Sequence, residues 1–140
     1  MSSHFTCNWD LVFDVEDGNI SNCANIILNQ KHGGMSQKFS LTHRGNDYHS
    51  IDLVGTDFVL DIKENRIEAG TNVILYKYHG GDNQLWMLEP WQDAAYTFSS
   101  KADSNMVLDV DRSPNPNNLI IWKSHGGENQ RFKLSGERFK

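Results

Sequence analysis

An all-β fold of three four-stranded units is what this sequence predicts, on two observations. The first is internal repetition, the sign of a repeated structural unit. Val12-Phe13-Asp14-Val15 returns as Val59-Leu60-Asp61-Ile62 and Val107-Leu108-Asp109-Val110, and His32-Gly33-Gly34 returns at His79-Gly80-Gly81 and His125-Gly126-Gly127. Each copy closes on Gln37-Lys38-Phe39, Gln84-Leu85-Trp86 or Gln130-Arg131-Phe132, with the aspartates 47 and 48 residues apart. The second is texture: short runs rich in β-branched residues, punctuated by Gly, Asn and Asp, read as strands rather than helices.

Within a unit the first strand opens near Phe5, Tyr48 or Tyr96, and the apolar run around the aspartate is the second. Polar, turn-rich stretches follow at 16–25, 63–72 and 111–118, the last holding Pro114 and Pro116. The third strand is the aliphatic run before each His: Ile26–Asn29, Val73–Tyr76 and Leu119–Trp122. The fourth is expected to carry the Gln-x-aromatic triplet, with Phe39, Trp86 and Phe132 contributing to the core. Three copies are too few for a propeller. Three four-stranded units closing one barrel make a β-trefoil, a single domain over 1–140 with repeats at about 4–44, 45–92 and 93–136.

Composition narrows the function. The formal net charge is -5 and the sequence has no Lys/Arg run, which argues against nucleic acid or anionic membrane as partner. No apolar stretch reaches the ~20 residues of a membrane-spanning helix, so membrane insertion is not expected. The N-terminus has no signal-peptide pattern, and Cys7 and Cys23 alone make no disulfide framework. The expectation is reduced thiols and a cytoplasmic protein, or one released without a signal peptide. Three-fold repetition puts His32, His79 and His125 in separate sectors, so no metal, cofactor or catalytic set is expected.

Asp, an aromatic residue on the third strand, and Asn-Gln-x-Trp closing the repeat form a pattern that resembles the ricin B-chain-like (R-type) lectins. The run from Tyr76 to Gln84, Tyr-x-Tyr-His-Gly-Gly-Asp-Asn-Gln, is similar to small fungal and invertebrate members. The resemblance spans the chain and implies binding of galactose or N-acetylgalactosamine glycans, multivalency and agglutination; related small lectins are often homodimers. The residue types suit a pyranose. A carboxylate accepts hydroxyl protons, an Asn amide offers a donor and an acceptor, a ring stacks on the C–H face, and Gln fixes the carboxylate.

Carried over residue by residue, the resemblance gives Asp61, Tyr76, His79, Asn83 and Gln84 in repeat two, and Asp109, Trp122, His125, Asn129 and Gln130 in repeat three. Repeat one keeps Asp14, His32 and Gln37, but Asn29 stands in place of the ring and Ser36 in place of the Asn, so weak binding or none is expected there. Duller readings stay open. The aspartates, expected near the surface, could cap turns, and the histidines could shape the Gly-Gly turn instead of touching sugar. The Gly pairs are expected to serve a positive-φ turn. A protein-binding trefoil, such as a protease inhibitor or cytoskeletal binder, is the alternative function.

Overall fold

The computed structural model describes residues 3–7, 10–112 and 117–136. Twelve strands appear among them: β1 (Ser3–Cys7), β2 (Val12–Val15), β3 (Ile26–Asn29), β4 (Phe39–His43), β5 (Tyr48–Leu53), β6 (Phe58–Ile62), β7 (Val73–Lys77), β8 (Trp86–Pro90), β9 (Ala95–Ser100), β10 (Met106–Asp111), β11 (Asn118–Lys123) and β12 (Phe132–Gly136). The first and fourth strands of each repeat pair antiparallel in a closed circuit, β1–β4–β5–β8–β9–β12 and back to β1. Closure leaves this barrel without a free edge. The second and third strands form the hairpins β2–β3, β6–β7 and β10–β11. A barrel capped by three hairpins is the β-trefoil.

Alternation along the hairpin strands explains where the aspartates go. Phe13 and Val15, Leu60 and Ile62, and Leu108 and Val110 are all buried and belong to the core. In a strand the residue between two inward side chains faces the other way, so Asp14, Asp61 and Asp109 point out of the core. The centre holds a cluster of Phe5, Phe13, Phe39, Phe98 and Phe132, with ring centroids 5.2 to 6.3 Å apart. Phe39, Trp86 and Phe132 are fully buried, as their repeated spacing predicts.

Three equivalent asparagines join the hairpins. Asn25 Nδ2 donates to Asn118 Oδ1 at 2.6 Å, and Asn118 Nδ2 donates to Asn72 Oδ1 at 2.7 Å. Each residue stands at the entrance to a third strand, and side chains from all three repeats meet only where the pseudo-three-fold axis passes. The single cross-hairpin pairings, Asn118 with Ile27, Asn25 with Ile74 and Asn72 with Ile120, lie beside them.

Two sequence expectations change. Gln37, Gln84 and Gln130 are not in strands; each lies in a one-turn 3-10 helix (Met35–Gln37, Asp82–Gln84, Glu128–Gln130), and the aromatic residue two places on begins the fourth strand. The turn-rich stretch of repeat three is shorter than expected, because β10 runs to Asp111 and β11 starts at Asn118. Pro114 and Pro116 lie outside the described residues.

Candidate functional site

In repeat two, the side chain of Gln84 is fully buried and spends both its ends on the protein. Its Nε2 donates to Asp61 Oδ2 at 2.8 Å and to the Lys77 carbonyl at 3.0 Å; its Oε1 accepts from the backbone N–H groups of His79 and Gly80 at 2.9 and 3.2 Å. One amide thus ties the carboxylate, the end of β7 and the His-Gly-Gly loop together. Gln130 repeats this around Asp109, Lys123 and His125, and Gln37 around Asp14, Gln30 and His32. These glutamines position the site.

The loop also fixes its histidine. Gly81 N–H donates to His79 Nδ1 at 3.0 Å, and Gly127 does the same to His125 at 3.1 Å. A neutral imidazole accepting at Nδ1 carries its proton on Nε2, which faces Asp61 Oδ2 at 3.7 Å or Asp109 Oδ2 at 3.9 Å. The two glycines of each pair serve different needs. Gly80 and Gly126 have φ of +81 and +74, as a positive-φ turn requires, but Gly81 and Gly127 have φ of -69 and -72. At those second positions a Cβ would lie 2.8 and 2.5 Å from the histidine Cε1, so the space is reserved for the ring.

Asn83 Nδ2 donates to Asp61 Oδ1 at 3.1 Å and to the Ile62 carbonyl at 3.2 Å; Asn129 does so to Asp109 at 2.9 Å and to Val110 at 3.3 Å. Both amide protons are spent inside the protein. This departs from the expectation of a donor and an acceptor for ligand, and leaves Oδ1 as the group facing outward chemistry. Among the described residues, the hydrogen bonds to both aspartates come from the Gln and Asn side chains. Asp61 and Asp109 are 3 % and 4 % exposed, deeper than the sequence reading placed them. Burial pushes both carboxyls up from the ordinary aspartate range, against the opposing pull of Gln, His and Asn.

The strand register places the ring. Tyr76 lies opposite Val59, Trp122 opposite Val107, and in repeat one Asn29 lies opposite Val12. Tyr76 and Trp122 are among the large apolar side chains left exposed, at 36 % and 43 %. Tyr76 meets His79 edge-on, with ring centroids 6.1 Å apart. Asp61, Ile74, Tyr76, His79 and Asn83, with Cys23 from the neighbouring repeat, line a cleft of about 700 Å³. Carboxylate, ring and amide carbonyl therefore converge on one opening. That set can accept hydroxyl protons and stack on a C–H face.

Sequence reasoning missed the supports that come from other repeats. Arg44, at the tip of the β4–β5 hairpin, stacks on Tyr78 with Cζ 3.8 Å from the ring centre, behind the loop of His79. At the loop of His125 the parts are exchanged: Trp91 of the β8–β9 hairpin lies under Arg131, whose Cζ is 4.3 Å from the ring, and Arg131 Nη2 donates to the Gly126 carbonyl. Arg44 and Trp91 are 47 residues apart, the repeat spacing, which is the signal that could have found them. Cys7 is buried and Cys23 exposed, both free. Among the described residues no cluster of three His, Cys, Asp or Glu could hold a metal, and no helix is long and apolar enough to cross a membrane.

Residues 5–132 match the family model of the ricin-type β-trefoil lectin domain. No curated protein sequence matches the chain. Among solved structures, the chain is similar to the designed three-fold symmetric protein ThreeFoil, at 29% identity and a TM-score of 0.89, covering 97% of this chain and 99% of that one. It is also similar to an exo-β-1,3-galactanase of Clostridium thermocellum, at 31% identity and a TM-score of 0.86, with 95% of this chain covered but only 29% of the enzyme. The C-half of an earthworm R-type lectin, solved with N-acetylgalactosamine, has the same fold at 22% identity and a TM-score of 0.73, covering 97% and 98% of the two chains.

Proposed function

From the chain's membership of the ricin-type β-trefoil lectin family, we propose that it binds terminal galactose or N-acetylgalactosamine through repeats two and three, and cross-links the glycans that carry them. Carbohydrate is the ligand class of the family; the sugar and the number of sites are our reading. The observation that carries it is the buried carboxylate that shares a cleft with an exposed ring at Asp61 and Tyr76, with the same pair of a buried carboxylate and an exposed ring at the matching positions Asp109 and Trp122. An axial and an equatorial hydroxyl can donate to such a carboxylate while the sugar's C–H face covers the ring. Fixed partners lower the ordering cost of binding.

Each site is shallow and wet, so single-site affinity is expected at about 0.1–1 mM. Two sites on one rigid body face apart, and engaging both raises apparent affinity by roughly 10²–10⁴ where glycan spacing allows. Titration with lactose or N-acetylgalactosamine, followed by NMR, should shift resonances around Tyr76 and Trp122 and leave those around Asn29 unmoved. Shifts at repeat one with silence at the other two would sink the assignment.

A further inference from the structure

Repeats two and three share carboxylate and ring but differ in the charge around them. Two residues past the carboxylate stands Lys63 in repeat two and Asp111 in repeat three. Lys63 opens the 3-10 turn Lys63–Asn65 and lines the cleft with Asp61 and Tyr76. The other charged groups on that rim, Glu64 and Asp82, are anionic, and each has its own cation: Arg66 Nη2 lies 3.7 Å from Glu64 and Lys101 Nζ 3.7 Å from Asp82. Lys63 forms no ion pair within 4.0 Å among the described residues. It is the uncompensated cation of the cleft.

In repeat three the sign is reversed. The following residues are exchanged too, Glu64 against Arg112, yet the charge that reaches the site carboxylate is that of Asp111, which adds to burial in holding Asp109 up. The Asp111 carboxylate weighs against an anion arriving at Asp109, whereas the Lys63 ammonium on the rim of the repeat-two cleft draws one in. The repeat-two cleft, at about 700 Å³, also has room for more than one pyranose; sites of ~300–1,000 Å³ hold drug-sized ligands.

We propose that repeat two is the site for galactosides bearing an anionic substituent, a sulfate ester or a sugar carboxylate, with the Lys63 ammonium meeting the anion, and that repeat three takes neutral galactosides. This rests on the galactoside reading above and names the ligand chemistry that separates its two sites. Lys63 is exposed, so solvent screens the pair and the gain is modest, roughly two- to fivefold in affinity.

The test is a residue-resolved NMR titration of the full chain with lactose, its 3′- and 6′-sulfates, and 3′- and 6′-sialyllactose, on the wild type and on Lys63→Glu. At Tyr76, an acidic ligand should bind roughly two- to fivefold tighter than lactose at low salt, and the gain should shrink as salt rises and vanish in Lys63→Glu. At Trp122 the same ligand should bind no tighter than lactose. A gain confined to the sulfates identifies the ester as the source; one confined to the sialosides identifies the carboxylate. Equal affinity for lactose and every acidic ligand at Tyr76, an equal gain at both rings, or a gain that survives Lys63→Glu would overturn the proposal. Lactose shifts at neither ring would refute the galactoside reading instead, a result distinct from each of these.

Discussion

Repeat one and repeat two are built on the same frame and end in opposite states. Gln37 makes the bonds that Gln84 makes, and His32 faces Asp14 at 3.4 Å as His79 faces Asp61. The difference lies at two positions. Ser36 Oγ donates to Asp14 Oδ1 at 2.7 Å, and Asn29 Nδ2 donates to Asp14 Oδ2 at 3.0 Å, so the residue in place of the ring has turned inward to the carboxylate. A carboxylate has about four acceptor positions. Asp14 gives three of them to its own chain, whereas Asp61 gives two, to Asn83 and Gln84. Repeat one has thus lost its stacking face and filled part of its acceptor capacity. The comparison teaches that the Gln staple belongs to the fold, and that the ring and the unfilled carboxylate are what the proposed binding site adds to it.

The largest effect should come from the carboxylates. Asp61→Asn with Asp109→Asn should abolish sugar binding, and Asp14→Asn should leave it unchanged, as read by lactose titration. Burial adds a stability cost that a surface position would not have. An Asn there has one acceptor oxygen for two donors, which should cost about 1–3 kcal/mol per site in denaturant unfolding. If the double variant still binds lactose, the carboxylates are purely structural.

The glutamines sharpen the contrast. Gln37→Ala and Gln84→Ala each remove four hydrogen bonds and strand buried partners, so both should lose about 2–4 kcal/mol of stability. Only Gln84→Ala should also silence the sugar response at Tyr76. Equal loss of sugar binding in both variants would mean that repeat one contributes a site after all.

A smaller effect concerns pH. Asp61 and Asp109 have folded-state pKa values raised by burial. Raised values favour the fold in acid: that contribution is full below the ordinary aspartate range and is lost as pH rises through the raised values. Binding has the opposite sign. Sugar hydroxyls donate to the ionised form, so affinity should fall as pH drops through the raised values, with net proton release on binding in that window. Calorimetry in two buffers of different ionisation enthalpy reads the released protons, and identical heats there would contradict the linkage.

Much of this was legible because it is written three times. The repeated aspartate, glutamine and buried aromatic gave the trefoil, and the joint change at Asn29 and Ser36 marked repeat one as different. What Ser36 and Asn29 do instead was not legible, since a hydrogen bond to Asp14 depends on side-chain direction. The second glycine looked like another turn residue, but its reason is the His79 or His125 ring above it. Cys23 in the repeat-two cleft and Arg44 behind Tyr78 come from other repeats, and a local motif says nothing about contacts between repeats. The depth of Asp61 was hidden for a similar reason: Gln84 and Asn83, more than 20 residues on, cover it.

The asparagine cluster at the axis has a consequence for how the molecule meets a surface. Asn25, Asn72 and Asn118 link the entrances of the three hairpins through short hydrogen bonds between their side-chain amides, and the hairpins of repeats two and three each carry a ring and a carboxylate. The two candidate sites therefore ride on one hub, which favours a set separation between them. A tethered pair of modules searches a range of distances, and its linker sets the penalty. A hub does not search. On the proposed two-site reading, glycans presented at the matching interval would be held together and those closer or farther apart gripped one at a time, so the pair would gauge density on a surface as well as the identity of the sugar.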